Sequence, residues 1–358
     1  METVNDKKVA GNMILYDDVL TILPEGVKAV SVESYGTSAW SQTGRINATD
    51  DKGTQTSYFL KYVSDEHGEP QLKGEYTGML ELYNTAPQIT PKPYGWGRVT
   101  SEPCLYFYVC DFIPLTHAMP EPVKLAKLIA DLHKTSVSPT GKFGFHLPTY
   151  DGWQPQEVGQ WDDSWTSCFA RLLKGLWELD AKMNGNWVEL DSAMETTLAE
   201  VIPRLIGILE RDGRSIKPCL IHGDLWETNI GTDATTGNIY IFDAAVYYAH
   251  NEMEIGIWRV NHHMMKAKIY RQEYAKQFQK SDPVEEWDDR LKLYGVKTKL
   301  MYSAGVPGGA NIRQQVLEDL QDLIQKYGRK HTDPGTTEST DPVTVNGNTE
   351  AAISDDRE

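Results

Sequence analysis

The chain has 358 residues, 40% of them hydrophobic, and a formal charge of −16. Its length allows one unit of two lobes, and its acidity argues against a nucleic-acid partner, because affinity for phosphate backbones needs clustered Lys and Arg. No stretch approaches the roughly 20 apolar residues of a membrane span, and the segment from Met1 to Met13 is polar where a secretory signal would be apolar. A soluble, cytoplasmic protein with no membrane partner is expected. Cys104, Cys110, Cys168 and Cys219 are scattered beside apolar residues without the paired spacing of a zinc site, and are expected to be buried, reduced thiols.

In chain order, Val27 to Ser34 and Thr56 to Val63 look extended, separated by Gly36, Gly44 and the polar run Asn47 to Gly53. Tyr76 to Leu82 reads as helical, ended by Pro91, Pro93 and Gly95. Two further apolar runs, Tyr94 to Val99 and Cys104 to Phe112, complete a small antiparallel β-rich lobe over residues 1–112.

From Pro122 the period changes. Leu125, Leu128, Ile129 and Leu132 recur at helical spacing and open a larger, mainly helical lobe over residues 113–328. Two more amphipathic stretches follow, one with Trp165, Phe169, Leu172, Leu173 and Leu176, the other with Leu198, Val201, Leu205 and Ile208. The runs ending at Ile221 and beginning at Ile239 suggest a hairpin around a polar loop. Residues 329–358 are rich in Thr, Gly, Pro, Asp and Glu with few large apolar side chains, the composition of a flexible acidic tail.

The polar loop His222-Gly223-Asp224-Leu225-Trp226-Glu227-Thr228-Asn229 sets a carboxylate and an amide five positions apart, and Asp243 follows fourteen positions later. Phosphoryl transfer asks for alignment and charge neutralisation, which one base carboxylate and two oxygen ligands for magnesium provide. In that reading Asp224 orients or accepts the proton of an attacking hydroxyl, Asn229 and Asp243 hold Mg2+, and His222 braces the loop. The same residue types are also ordinary turn formers.

Lys61 lies within the apolar run Tyr58 to Val63, where an ammonium is costly unless paired or aimed at a ligand. It is the expected grip on the phosphates of ATP, with Glu75 as its carboxylate partner and Glu81 as the second choice. Gly36, Thr37 and Ser38 form a candidate phosphate loop carrying only one glycine; a plain hairpin turn is the other reading. Asp111 and Ile113 fall between the lobes, where a connector backbone would meet adenine.

The stretch His222 to Asn229 with Asp243, Tyr248, His250 and Glu252 resembles the signature of the fructosamine and ketosamine 3-kinase family. The segments Phe143-Gly144-Phe145 and Trp161 to Arg171 are similar to it as well, and the likeness runs from Val27 to Tyr327. The resemblance implies an α+β, bilobal fold of the aminoglycoside-phosphotransferase and protein-kinase type, using ATP and Mg2+. It implies phosphorylation of the 3-hydroxyl of ketosamines on lysines of glycated proteins or on small amines, after which the adduct breaks down and frees the amine.

By the same resemblance Trp226 offers an aromatic face to the sugar, and His250 and Glu252 line the acceptor side. His250 reads equally as a packing histidine. The chain departs from the family pattern in its glycine-poor phosphate loop without a cysteine, in Ala244 after the metal aspartate, and in a longer loop at Asn47 to Gly53. A kinase of another amine-bearing metabolite, such as choline or an aminoglycoside, and a pseudokinase remain alternative readings.

Overall fold

The computed structural model describes residues 9–329, apart from 37, 39, 117 and 309. Thr37 and nearly all of the segment expected to be an acidic tail therefore lie outside the described residues.

The first part of the chain is a six-stranded sheet in the order Ala10–Gly11, Lys28–Ser34, Gln42–Thr49, Gln55–Ser64, Leu105–Asp111, Pro93–Arg98. All neighbours are antiparallel except the first pair. Side chains alternate across a strand, and Gln55–Ser64 shows the consequence. Tyr58, Leu60 and Tyr62 pack on one face with Val32, Ile46 and Val109. Val63, on the other face, joins Tyr108 and Leu72. Lys61 shares the face of Val63, which is covered by the helix Gly68–Thr85.

Two features of this region differ from the expectation. The segment Gln42–Thr49 is a full strand pairing on both sides, so Asn47 lies in the sheet and not in a loop. Its inward positions are Gly44, Ile46 and Ala48, and such small side chains leave a faint alternating pattern. The helix spans Gly68–Thr85, longer than Tyr76 to Leu82, and stops before the prolines. Its glycines disfavour a helix in isolation. They are used for close packing: a Cβ on Gly78 would stand 2.9 Å from the side chain of Val246, beside the polar loop.

The second part is mainly helical, around a core to which Leu125, Phe169, Leu172, Leu205, Trp258 and Leu300 all belong. Its first helix, Pro122–Thr135, starts where the Glu121 carboxylate accepts hydrogen bonds from the amides of Val123 (2.9 Å) and Lys124 (2.6 Å). The helix Trp165–Asn184 is closed by Gly185 at φ 80°.

The runs around the polar loop do not pair with each other. Cys219–Ile221 pairs with Tyr247–Ala249, and Ile230–Asp233 pairs with Ile239–Ile241. Ile230–Asp233 is itself a short strand, and the Asp233 side chain, accepting from Thr235 and Thr236, turns it directly into its neighbour. One hairpin is thus nested inside another pair, and the chain passes the same point at residues 222–229 and again at 242–246. Of the cysteines, Cys110, Cys168 and Cys219 are buried; Cys104 is exposed on the turn before Leu105, contrary to expectation.

Candidate active site

The polar loop leaves the strand Cys219–Ile221 through Gly223, whose φ is 82°. A Cβ there would come within 2.2 Å of the Ala245 carbonyl oxygen, so this approach of the two passes needs glycine. The buried Glu254 carboxylate accepts the amides of His222 (2.6 Å) and Gly223 (3.1 Å). His222 joins the two passes: its Nε2 is 2.9 Å from the Phe242 carbonyl, and its Nδ1 accepts the Asp224 amide at 3.3 Å. Those bonds fix a neutral tautomer with the proton on Nε2. Burial, the largest influence, holds the His222 imidazole below its ordinary range against the pull of Glu254.

Asn229 stands at the end of a short 3-10 turn, Glu227–Asn229. Its Nδ2 donates to Asp224 Oδ2 (2.8 Å) and to the Asp224 carbonyl (2.9 Å), and lies 3.4 Å from the Asp243 carbonyl. With the amide nitrogen so committed, Oδ1 is its remaining acceptor. Asp243 adopts φ 59°, a left-handed conformation uncommon outside glycine. Its Oδ1 accepts from Lys61 Nζ at 2.6 Å. The same ammonium donates to both oxygens of Glu75, at 2.9 and 2.8 Å. Lys61 and Glu75 are buried, whereas 53% of the Asp243 side chain is exposed.

One ammonium therefore faces two carboxylates. Burial alone would push Lys61 down, but Asp243 and Glu75 outweigh it and keep the ammonium charged. Burial pushes Glu75 up, and Lys61 offsets only part of that rise. Asp243 is partly desolvated, which pushes its carboxyl up, but Lys61 overcomes this through charge and hydrogen bond, so it sits below the usual range. Asp224 goes the other way. Burial raises it well above an ordinary carboxylate, the nearby Asp151 adds to the rise, and Lys297 opposes it. Such a shift suits a group that must take up a proton.

The remaining expected residues fall into two groups. Gly36, with φ 77°, and Ser38 lie on the connection between Lys28–Ser34 and Gln42–Thr49, where the Ser38 hydroxyl accepts from the Trp40 amide and Ser41. Asp111 ends its strand with its amide donated to Lys92 O, its carboxylate accepting from Tyr94 Oη and the Lys92 amide, and its carbonyl 3.5 Å from the Cys110 thiol; Ile113 follows two residues on. Trp226 is half-buried beside His263, ring centroids 5.0 Å apart.

His250 and Glu252 are elsewhere. His250 is buried between Tyr294 Oη (2.9 Å) and Ser281 Oγ (2.8 Å), and Glu252 is buried against Arg290 at 2.7 Å. The structure puts both inside the helical core, so their expected place on the acceptor side is corrected: the helix Asn251–Gly256 turns their side chains inward. Glu81, the second choice for Lys61, instead accepts from Tyr248 Oη.

Three residues were missed. Glu254 holds the loop amides, and the buried Lys297 donates to the Gly223 carbonyl (3.2 Å) and lies 3.7 Å from Asp151. Lys297 and Asp151 come from distant segments without a motif; only the cost of burying a lysine in the run Leu293 to Leu300 hinted at the first.

The fructosamine kinase family profile matches residues 29–325 of this chain. The chain belongs to that family. A chloroplastic protein-ribulosamine 3-kinase from rice (Oryza sativa subsp. japonica) is 30% identical over 239 residues, which are 66% of this chain and 65% of the rice protein, just under two thirds of its length. Among solved structures, a candidate fructosamine-3-kinase from Haemophilus somnus 129PT superposes with a TM-score of 0.63 at 16% identity, covering 83% of this chain and 92% of that one. An aminoglycoside phosphotransferase solved with AMP-PNP and hygromycin B gives 0.57 at 14% identity, covering 83% and 94%. The fold is therefore the α+β, aminoglycoside-phosphotransferase-like kinase fold. Segments by which the sequence resembles the fructosamine kinase family also meet in space, since Gly144 and Tyr248 exchange backbone hydrogen bonds of 2.9 Å.

Proposed function

We propose that this protein is an ATP- and Mg2+-dependent kinase that phosphorylates the 3-hydroxyl of ketosamines, ribulosamine or fructosamine adducts of lysines or free amines, and so starts their deglycation. The observation that carries this reading is the meeting of Lys61, Glu75, Asn229 and Asp243 beside an Asp224 whose carboxyl is raised toward proton uptake.

The residues fit the reaction. The oxygens of Asn229 and Asp243 form the all-oxygen set that a hard cation prefers, and Asp243 is open to it. Bound there, magnesium would neutralise charge on the phosphate oxygens. Lys61, kept charged by its carboxylates, grips the phosphates. Asp224 takes the proton of the 3-hydroxyl as that oxygen bonds to the terminal phosphorus and the bond to the β-phosphate oxygen breaks, releasing ADP. Asn229 holds the Asp224 carboxylate in place, and Glu254 and Gly223 hold the loop. Gly36 and Ser38 cover the phosphates, Asp111 and Ile113 meet the adenine, and Trp226 faces the sugar.

The test is ADP release with a ribulosyl-lysine or fructosyl-lysine acceptor, run beside choline and an aminoglycoside, with and without magnesium. Metal-dependent turnover on a ketosamine is expected. Turnover on choline or the aminoglycoside alone would move the acceptor class; nucleotide binding without turnover on any acceptor would refute catalysis.

A further inference from the structure

A cavity of about 410 Å³ opens next to the kinase machinery, lined by Trp40, Asp65, His67, Gln71 and Trp153. None of these residues has a part in the mechanism above. Gln71 lies one turn before Glu75 on the helix Gly68–Thr85, hence on the same face. It is only 6% exposed, and its Oε1 has no hydrogen-bond partner. That oxygen is closed to solvent, so Gln71 contributes wall to the cavity and not a ligand contact.

The aromatic side is built from two distant segments. Trp153 occupies the turn between the short strands Thr149–Asp151 and Gln154–Gln156, its ring 5.9 Å from the His67 imidazole. Gly152, at φ 59° in the same turn, would place a Cβ 3.0 Å from Trp40 Nε1, so the Trp40 indole rests on that glycine. Trp40 is otherwise well exposed. Asp65 spends one carboxylate oxygen on the His67 amide, at 2.7 Å. Two indoles and a carboxylate together suit a cation that carries N–H donors.

The cavity also adjoins the chemistry. Asp151, which raises Asp224 and is held by Lys297, is two residues from Trp153, a span of about 7 Å of extended chain at most.

We propose that this cavity is a subsite for an alkylammonium group, the amine side of the acceptor. That the ammonium belongs to the acceptor rests on the ketosamine-kinase reading; the cation site itself does not.

The experiment is calorimetric titration of the full chain with 1,5-pentanediammonium and, as the neutral control, 1,5-pentanediol, on wild type, Trp40→Ala and Trp153→Ala. The expected result is binding of the diammonium alone, weakened about tenfold by each Trp variant. Trp40→Ala guards against misfolding, because Trp40 is exposed on a loop. The KM for a ketosamine of a diamine should rise about tenfold in Trp153→Ala, with the KM for ATP unchanged.

Equal binding of the diammonium to wild type and both Trp variants, or equal binding of the diol, would overturn the subsite. Loss of diammonium binding in the Trp variants, in a protein that phosphorylates no ketosamine, would leave the cation site standing and remove its link to that acceptor.

Discussion

Lys61 is where the charge of the site is balanced, and its neighbours say what its removal does. Lys61→Met leaves Glu75 buried without a partner, an arrangement that typically costs about 3–5 kcal/mol. Urea unfolding should show that loss, and Lys61→Met/Glu75→Leu should recover most of it while neither variant regains turnover. A single variant as stable as wild type would contradict the buried pair. Asp224→Asn removes only the proposed proton acceptor, so kcat should fall by about 10²- to 10⁴-fold with the KM for ATP little changed, as steady-state kinetics would show. At this scale the sequence was informative where chemistry forced a residue type: a lysine in an apolar strand, and a carboxylate and amide in a polar loop. It was misleading at His250 and Glu252, because a polar residue in a signature is equally able to pair internally, here with Tyr294 and Arg290.

Among the elements, the nested strands carry the site, and two variants probe them. Gly223→Ala would force a side chain into the Ala245 carbonyl at a positive φ, so it should lower the melting temperature by several degrees and reduce activity together. His250, at the start of the helix Asn251–Gly256, gives a pH prediction. Burial lowers its imidazole to about 4, with Arg290 and His133 acting in the same direction and Glu252 and Glu210 opposing. The unfolded chain, near 6.5, takes the proton first on acidification. The contribution is therefore intact above that value, is lost as pH falls toward 4, and amounts to about 2 kcal/mol by pH 5. His250→Gln should shrink the difference in unfolding free energy between pH 7 and pH 5 by that amount; an unchanged difference would remove His250 as its source. Element boundaries were harder to read than their existence. Gly68 and Gly74, packed against Tyr106 and Pro148, hid the first half of one helix, small inward residues hid the strand Gln42–Thr49, and the hairpin was misassigned because Ile230–Asp233 lies between its supposed partners.

For the whole molecule, the chain length and the change from strand to helical periodicity near Pro122 pointed to the bilobal fold. Sequence alone does not show that Lys61 meets Asp243 across 182 positions, or that Asp151 and Lys297 arrive beside Asp224. Such convergence is a property of packing, and it joins separate signals into the one site proposed for phosphoryl transfer. The most direct measurement of that claim is mass spectrometry of a glycated lysine peptide incubated with ATP, magnesium and either wild type or Asp224→Asn. The wild type is expected to add a phosphate to the adduct, followed by loss of the sugar and return of the free lysine, while the variant leaves the adduct intact. An adduct unchanged by folded, magnesium-replete wild type, or changed equally by both proteins, would contradict the account.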